Sequence, residues 1–170
     1  QYIAAAGAGF YSAFPIPTSQ TNKILSGFTI DPAQKLSVDE TNFAGSAGTS
    51  IVAPLAAGGR VVIGQTTSNS GNPVLEEMSV QRISDFTAKS VRRALEAAFT
   101  GSLITPGTPE AIKEATRGLL QSLLSQGFIT NFDGVNAVVD DVEPRQVNVT
   151  FDISPVFPLN WIFVRFSVGI

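Results

Sequence analysis

The sequence contains neither cysteine nor histidine. Without cysteine, disulfides and thiolate metal sites are excluded, and nothing points to an oxidising compartment. Without histidine, the usual general base, the usual zinc ligand and every catalytic triad that depends on imidazole are excluded as well. The composition therefore argues against the commonest hydrolase and metalloenzyme chemistries.

Charge is scarce too. Asp, Glu, Lys and Arg make up 15% of the 170 residues and the net charge is -3, whereas an average soluble protein has roughly 25% charged residues. A sparsely charged, mildly acidic chain lacks the basic surface that nucleic acid or an anionic membrane attracts. No run of about 18 apolar residues is present to span a bilayer. We predict neither a nucleic-acid partner nor membrane contact, and we expect much of the surface to lie against other protein.

What the sequence has in quantity is apolar residues, at 44% of the chain, which suffices for one domain with a proper core. The chain contains both strand and helix patterns, and we predict an α+β fold in which a mixed or antiparallel sheet packs with two main amphipathic helices. We predict a connecting segment over residues 1–26, a core domain over 27–154 and a C-terminal arm over 155–170.

The first half of the chain predicts short elements. Ser37 and Glu40 have capping-box spacing at the start of a short helix that ends at Phe43 and turns Phe43 inward. Ile51 to Leu55 and Arg60 to Ile63 form two short strands joined by a permissive turn of alanine and glycine.

A third strand is predicted over Leu75 to Ile83, followed by the first main helix. Ser84 supplies the N-cap of this helix, Asp85 an acid in its first turn, and the helix extends to about Phe99. Its basic cluster is interpreted as a solvated face in preference to a ligand site, and consists of Lys89, Arg92 and Arg93.

The second main helix has clear start and stop signals. Thr108 is the predicted N-cap, Pro109 takes the first helical position, Glu110 lies in the first turn and Gly127 follows the end. The apolar face of this helix comprises Ile112, Leu119, Leu120 and Leu123.

Two strand patterns of different character end the chain. Apolar residues alternate with polar ones from Gln146 to Ile153, as in a strand with one buried face. The run from Asn160 to Val168 is apolar on both faces except at Arg165, and Pro155 and Pro158 separate it from the first strand. Because such an edge is an aggregation hazard when left open, we expect this run to be covered, either within its own domain or by a neighbouring chain.

Chemistry-bearing clusters are few. Asp140, Asp141 and Glu143 could hold a hard cation such as calcium, but their spacing matches no calcium loop and suits a solvated turn between strands. Gly7 and Gly9 lack the remaining features of a dinucleotide fingerprint. No nucleophile has an obvious base. We therefore predict no enzymatic activity, no cofactor and no metal.

Several local sequences, taken in order, resemble the conserved C-terminal portion of contractile tail sheath proteins of bacteriophages and contractile injection systems. The resemblance covers residues 27–170. It rests on ETNFAGSAGTSIV, RVVIGQTTSNS, EMSVQRISDFTAKSVRRALEAAFTG, GLLQSLLSQGFI and the terminal VNVTFDISPVFPLNWIFVRFSV. The family's N-terminal arm and outer domains have no counterpart in the chain.

The resemblance implies a structural subunit that stacks in rings around an inner tail tube and contracts to drive the tube through a cell envelope. The implied partners are other copies of the chain, in a helical homo-oligomer, and the inner tube protein. The implied location is the virion, after assembly in the cytoplasm of the host bacterium. In that family terminal arms donate strands to a neighbour's sheet, and a helix of the C-terminal domain faces the tube.

We assign strand donation and tube contact to two separate sets of residues. The inter-subunit arm comprises Trp161, Ile162, Phe163, Val164, Arg165, Phe166 and Val168. We assign the tube-facing surface to the second main helix, whose charges lie in its first half and are Glu110, Lys113, Glu114 and Arg117. The basic cluster of the first main helix is the rival for the tube.

Other interpretations stay open. The chain could be a different virion or baseplate structural domain, or, from other classes, a small-ligand binding module or a histidine-free hydrolase. A sheath subunit should form tubes or rings, whereas an enzyme should be monodisperse.

Overall fold

The computed structural model of the protein describes residues 3–28, 30–31, 33, 35–55, 58–63, 76–159 and 162–167. Within these ranges the helices are α1 (Ile3–Ala13), α2 (Val38–Ser46), α3 (Met78–Phe99) and α4 (Thr108–Ser125). The strands are β1 (Ile24–Leu25), β2 (Ile51–Leu55), β3 (Gly58–Ile63), β4 (Ile129–Val139) and β5 (Val147–Pro155).

The chain divides into two compact units. The first unit combines the chain up to Ser79 with the chain from Phe157 onward, and the second unit is Val80–Val156. The predicted boundaries at residues 26/27 and 154/155 stay predictions. In the described part of the chain, no helix has the length and apolar character needed to cross a membrane.

The first unit contains a three-stranded antiparallel sheet in the order β1-β3-β2. β2 and β3 form the predicted hairpin, with Ala53 opposite Arg60 and Leu55 opposite Gly58. Leu25, Ile51 and Val61 are its buried apolar residues. The hairpin agrees with the sequence-based prediction, except that β3 begins at Gly58, two residues before the predicted start at Arg60.

Helix α2 confirms the capping box but not the orientation of Phe43. The Ser37 side chain accepts a hydrogen bond from the Glu40 backbone N–H, and the Glu40 carboxylate accepts one from the Ser37 backbone N–H at 2.8 Å. The Ser37 backbone N–H and the Ser37 hydroxyl both donate to the Glu40 carboxylate, and these two bonds lower the pKa of Glu40. Phe43 is 78% exposed, so the prediction that it turns inward is wrong. The cap fixes where the helix starts, but it does not fix the face that packs.

Helix α3 begins at Met78, six positions before the predicted N-cap at Ser84. The predicted strand is therefore wrong from Met78 to Ile83, while Leu75 lies outside the described residues. The Ser84 hydroxyl donates to the Val80 carbonyl at 3.1 Å, as a serine inside a helix does. It does not cap the helix.

The reason for the early start is the spacing of the buried residues. Val80, Ile83, Thr87 and Val91 are each at most 2% exposed, and they follow one another at intervals of three or four, which is a helical stripe. Over the short window before Ser84, an apolar run fits a strand or a buried helix equally well. Packing of the whole stripe decides in favour of the helix.

Helix α4 runs from Thr108 to Ser125, one residue away from the predicted start. Gly107 is the N-cap and makes no side-chain cap bond. The Thr108 hydroxyl instead accepts from the Thr105 backbone N–H at 2.9 Å and ties down the preceding loop. Pro109 lies in the first turn, and Gly127 follows the end at φ 77°, as predicted.

The buried stripe of α4 also differs from prediction by one position. Ile112, Leu120 and Leu123 are buried as expected, but the fourth buried residue is Thr116, while Leu119 is half-buried. Thr116 donates to the Ile112 carbonyl at 2.8 Å, so its hydroxyl is satisfied inside the core.

Strands β4 and β5 form a two-stranded antiparallel sheet whose inner face packs on α4. Ile129 and Ala137 of β4 are buried. Along β5 the residues from Phe151 to Pro155 alternate between an at least half-buried row and an exposed row. Phe86 of α3 stacks at 5.1 Å on Phe128, just before β4.

β4 carries two irregularities, one between Ile129 and Asn131 and one between Asp133 and Asn136. In each, β4 has one more residue than β5. Gly134 lies in the second at φ 62°, a conformation that glycine adopts without a steric penalty.

The α+β prediction is confirmed. The observed strand pairs are antiparallel, and in the described part of the chain they form two sheets, one in each unit. These elements do not test whether the C-terminal arm adds as a strand to a sheet, so the arm strand stays a prediction.

Candidate assembly surfaces

The four charges assigned to the tube-facing surface lie in the first half of α4 and pair within the helix. Lys113 Nζ is 3.4 Å from Glu110 Oε2, and Arg117 pairs with Glu114. Lys113 is the least exposed, with 25% of its side chain accessible, against 65% for Glu110. The patch is thus locally neutral, and its pairs are of the exposed kind that contributes about 0 to 1 kcal/mol each.

The rival basic cluster lies on α3. Lys89, Arg92 and Arg93 are all exposed. Arg92 Nε donates to Glu96 Oε1 at 2.7 Å, and this hydrogen bond raises the pKa of Arg92. One of the three cations is therefore already paired within the helix, as the i,i+4 spacing predicts.

The arm residues that the structure describes are exposed. Phe163 is 90% exposed, Phe166 86%, Val164 79% and Ile162 75%. Residues 162–167 form no strand within the described part of the chain, and Arg165 is exposed with them. Trp161 and Val168 lie outside the described residues. Four large apolar side chains in so short a stretch are typical of a surface that other protein covers.

The acidic turn Asp140–Glu143 joins β4 to β5 and is held by its own backbone. Asp140 Oδ1 accepts from the backbone N–H groups of Val142 and Glu143, both at 2.9 Å. Asp140 Oδ2 accepts from the Asn148 side-chain amide at 2.7 Å. The bonds from the Glu143 and Val142 N–H groups, followed by the one from Asn148, lower the pKa of Asp140.

The Glu143 carboxylate forms a salt bridge with Arg145. Arg145 Nε donates to Glu143 Oε1 at 2.7 Å and its Nη2 to Oε2 at 2.9 Å. This pairing lowers the pKa of Glu143. The carboxylates of Asp140 and Glu143 thus hold the turn, as the turn interpretation predicts. Among the described residues no group of three or more carboxylates is placed to hold a metal ion.

Each unit also has a surface groove, and the groove of the second unit has Glu96 and Arg145 in its lining beside apolar residues. In the second unit a groove of about 270 Å³ lies between the end of α3, the start of α4 and β5, with Phe99, Ile104 and Val147 in its lining. In the first unit a groove of about 330 Å³ lies between the N-terminal end of α2 and β2, with Leu36, Val38 and Pro54 in its lining. Neither groove was predicted from the sequence, because each is lined by residues that are distant along the chain.

Sequence reasoning also missed two exposed apolar side chains on loops of the second unit. Leu103 is 87% exposed between α3 and α4, and Val142 is 93% exposed in the β4–β5 turn. An apolar residue inside an otherwise polar turn is the signal that would have indicated them.

Comparison with known proteins assigns the family. Residues 70–169 match the phage tail sheath C-terminal domain. The chain belongs to this family. The match spans α3, α4, the β4–β5 sheet and the described arm residues, so it covers every sequence-predicted assembly surface of the chain.

A curated relative of this sheath domain is the tail sheath protein of Bacillus phage SP01, with 28% identity over 107 residues. That alignment covers 62% of the chain and 18% of the relative. The chain therefore spans about a fifth of the length of the curated relative it matches.

Solved structures share the fold of the sheath domain. A chain in the anti-feeding prophage baseplate matches with a TM-score of 0.78 and 15% identity, over 99% of this chain and 49% of that one. The helical sheath of the same prophage in its contracted state gives 0.74 and 15%, over 97% and 49%. The sheath tail protein of Listeria innocua gives 0.75 and 20%, over 88% and 37%.

Proposed function

We propose that this sheath domain is part of a structural subunit of a contractile tail sheath, which surrounds an inner tube and contracts to drive it through a cell envelope. The observation that carries the proposal is the family match over residues 70–169. The fold it shares with a sheath solved in the contracted state supports the same conclusion. The subunit acts in the tail of the virion, after assembly in the cytoplasm of a bacterial host.

Its partners, in this proposal, are other copies of the chain and the inner tube protein. It performs no catalysis, since a sequence without histidine and cysteine lacks the usual catalytic groups. The surface is sparsely charged and the arm is apolar, which suits contacts with protein better than contacts with nucleic acid or a membrane.

Copies are joined through the C-terminal arm, which adds as a strand to a sheet of a neighbouring copy. Strand addition uses backbone hydrogen bonds for affinity and alternate side chains for specificity. The exposed Ile162, Val164 and Phe166 supply the apolar side chains. Because each copy donates one arm and accepts another, the contact is heterologous and propagates instead of closing into a dimer.

The tube-facing surface, in this proposal, is the first half of α4. Its charges form two exposed or partly exposed pairs, Glu110–Lys113 and Glu114–Arg117. Contacts between exposed charges are weak and salt-sensitive. Such a contact is specific enough to place the sheath on the tube and weak enough to release when the sheath expands.

Deleting residues 160–170 tests the arm. We expect a folded domain, with the circular dichroism of the intact protein, that forms no tubes or rings in negative-stain micrographs. The expectation rests on the exposure of the described arm residues. If the truncated protein unfolds, or if it still forms tubes, the strand is internal and the proposed role of the arm is wrong.

A second candidate is a structural subunit of the baseplate. The observation that favours it is the TM-score of 0.78 with a chain in the anti-feeding prophage baseplate. Micrographs of the intact protein separate the two, because a sheath subunit gives open tubes that lengthen with protein concentration. Closed discs of fixed size would indicate the baseplate, and a monodisperse protein would contradict both.

A further inference from the structure

The described strands offer four outer edges, and they differ in how well they could accept another strand. β1 has two residues, and β2 contains Pro54, which cannot donate a backbone hydrogen bond. β4 is interrupted by two extra residues, and such bulges disrupt an edge ladder. β5 has nine residues, neither extra residue lies on it, and its single proline is its last residue.

The outer face of the β4–β5 sheet carries two carboxylates at one position. Asp152 of β5 is directly opposite Asp133 of β4, and both are exposed. Like charges directly opposite each other destabilise a sheet. Neither aspartate belongs to a salt bridge within the described part of the chain. A cation added on this face would therefore relieve a repulsion as well as form an ion pair.

The arm carries one such cation. Arg165 is the single charged residue between Val156 and the end of the sequence, and its side chain is exposed. In an extended strand Arg165 shares a face with Phe163, while Val164 and Phe166 lie on the other face. The arm therefore has one wholly apolar face and one face that carries a positive charge.

Registers that differ by two residues all match the apolar faces, and one of them also brings the charges together. When Arg165 lies opposite Asp152, Val164 and Phe166 lie opposite Phe151 and Ile153, the half-buried row of β5. This holds for a parallel and for an antiparallel arm, because side chains alternate with period two in both. A slip of one residue would place Arg165 on the apolar row and Val164 on the solvent face.

We propose that the outer edge of β5 accepts the arm of a second copy of this chain, and that Arg165 of the arm meets Asp152, beside Asp133, and sets the register of the added strand. The proposal rests on the proposed function, in which arms join copies of the chain. Asp152 and Arg165 act here as determinants of register and partner choice, while the apolar faces supply most of the burial.

A charge swap tests the pair in the intact protein. We expect Arg165→Glu and Asp152→Lys each to abolish tubes in micrographs, because each replaces an attraction with a repulsion. The double variant, Arg165→Glu with Asp152→Lys, should restore tubes, and Arg165→Lys should retain them. Asp141→Lys is the matched control, since it makes the same charge change at an exposed aspartate of the turn, and it should assemble normally.

A disulfide tests whether the contact is between copies. The chain has no native cysteine, so Arg165→Cys with Asp152→Cys provides one defined pair, and directly opposed residues on neighbouring strands are close enough to bridge. Oxidation should give a ladder of covalent multimers on a non-reducing gel. A link found only within single chains, or no link at all in assembled tubes, overturns the proposal.

These experiments distinguish failure of the register proposal from failure of the proposed sheath function. If the wild-type protein forms tubes and folded Arg165→Glu and Asp152→Lys variants form them equally well, the register proposal is wrong and the sheath function stands. If both single variants are folded and the double variant does not recover tubes, the pairing is also wrong. If the wild-type protein is monodisperse, the sheath function itself fails.

Discussion

Two buried threonines, one on each main helix, present the same side chain in opposite hydrogen-bonding states. Both are 0% exposed. The Thr116 hydroxyl donates to the Ile112 carbonyl at 2.8 Å, whereas the Thr87 hydroxyl has no partner among the described residues. A buried polar group without a partner costs roughly 1 to 3 kcal/mol. The two sites therefore respond differently to loss of the hydroxyl.

We expect Thr87→Val to raise the free energy of unfolding by about 1 kcal/mol, because it removes an unsatisfied hydroxyl and keeps the shape of the side chain. Thr116→Val is the matched control and should lower that free energy by about 1 kcal/mol. Urea unfolding measures both, with an unchanged m value. A larger loss for Thr87→Val than for Thr116→Val would contradict the assignment.

At the scale of the secondary-structure elements, Gly134 determines the stability of the second irregularity of β4. Gly134 has φ 62°, where a residue with a Cβ is strained, and an added Cβ would also lie 2.7 Å from Asp152 Oδ2, the end of a side chain that can turn aside. Gly134→Ala should therefore destabilise the protein by about 1 to 2 kcal/mol.

Gly118 supplies the matched control, because it is inside α4 and a Cβ added there would meet nothing within 4 Å. Gly118→Ala should stabilise the protein by about 0.5 to 1 kcal/mol, as expected for an exposed position in a helix. Thermal unfolding of the two variants measures the contrast, and equal shifts of the midpoint would show that the bulge does not require glycine.

The turn between β4 and β5 should respond to pH through Asp140. Its pKa is lowered from the ordinary value of 3.8 by the N–H groups of Glu143 and Val142 and by Asn148. Because the folded state lowers this pKa, the contribution to stability is complete above the ordinary value and is lost as pH falls below it. Stability should therefore decrease on acidification below about pH 4.

Asp140→Asn should make that decrease smaller, because the amide has no proton to gain in this range. Urea midpoints between about pH 6 and about pH 3 provide the measurement. The matched change Asp141→Asn removes a neighbouring carboxylate for which the described residues show no such bonds, and it should leave the Asp140 contribution in place. An identical acid response in the Asp140 variant and the wild type would exclude this role of the turn.

At the scale of the whole molecule, the proposed contact with the tube predicts a selective assembly defect. Lys113→Glu combined with Arg117→Glu should abolish assembly on tubes and still permit empty polysheath. The change breaks two helical pairs worth about 0 to 1 kcal/mol each, so the domain should stay folded. Electron micrographs of sheath assembled with and without tube protein measure the effect.

The comparison variant is Arg92→Glu with Arg93→Glu, which reverses two exposed charges of α3. It should assemble on tubes normally. If this variant fails on tubes and the α4 variant does not, the contact belongs to α3. If both assemble normally, neither helix makes the contact through its charges.

The local sequence determined much of this protein. The capping box at Ser37, the hairpin of β2 and β3, the period-two pattern of β5 and the start and stop of α4 to within one residue were all predicted. These features depend on side chains a few residues apart, so they can be deduced from local spacing. The missing histidine and cysteine excluded imidazole-dependent triads, disulfides and thiolate metal sites in the same direct way, and the ordered motifs identified the sheath family.

Only the tertiary structure decided which faces pack. It exposed Phe43, buried Thr116 in the stripe of α4 and extended α3 back to Met78. It also set Asp133 opposite Asp152, a pairing that depends on where β4 has its extra residues. Burial and register arise from contacts between residues distant along the chain, and the free energy of those contacts is settled only when the layers pack together.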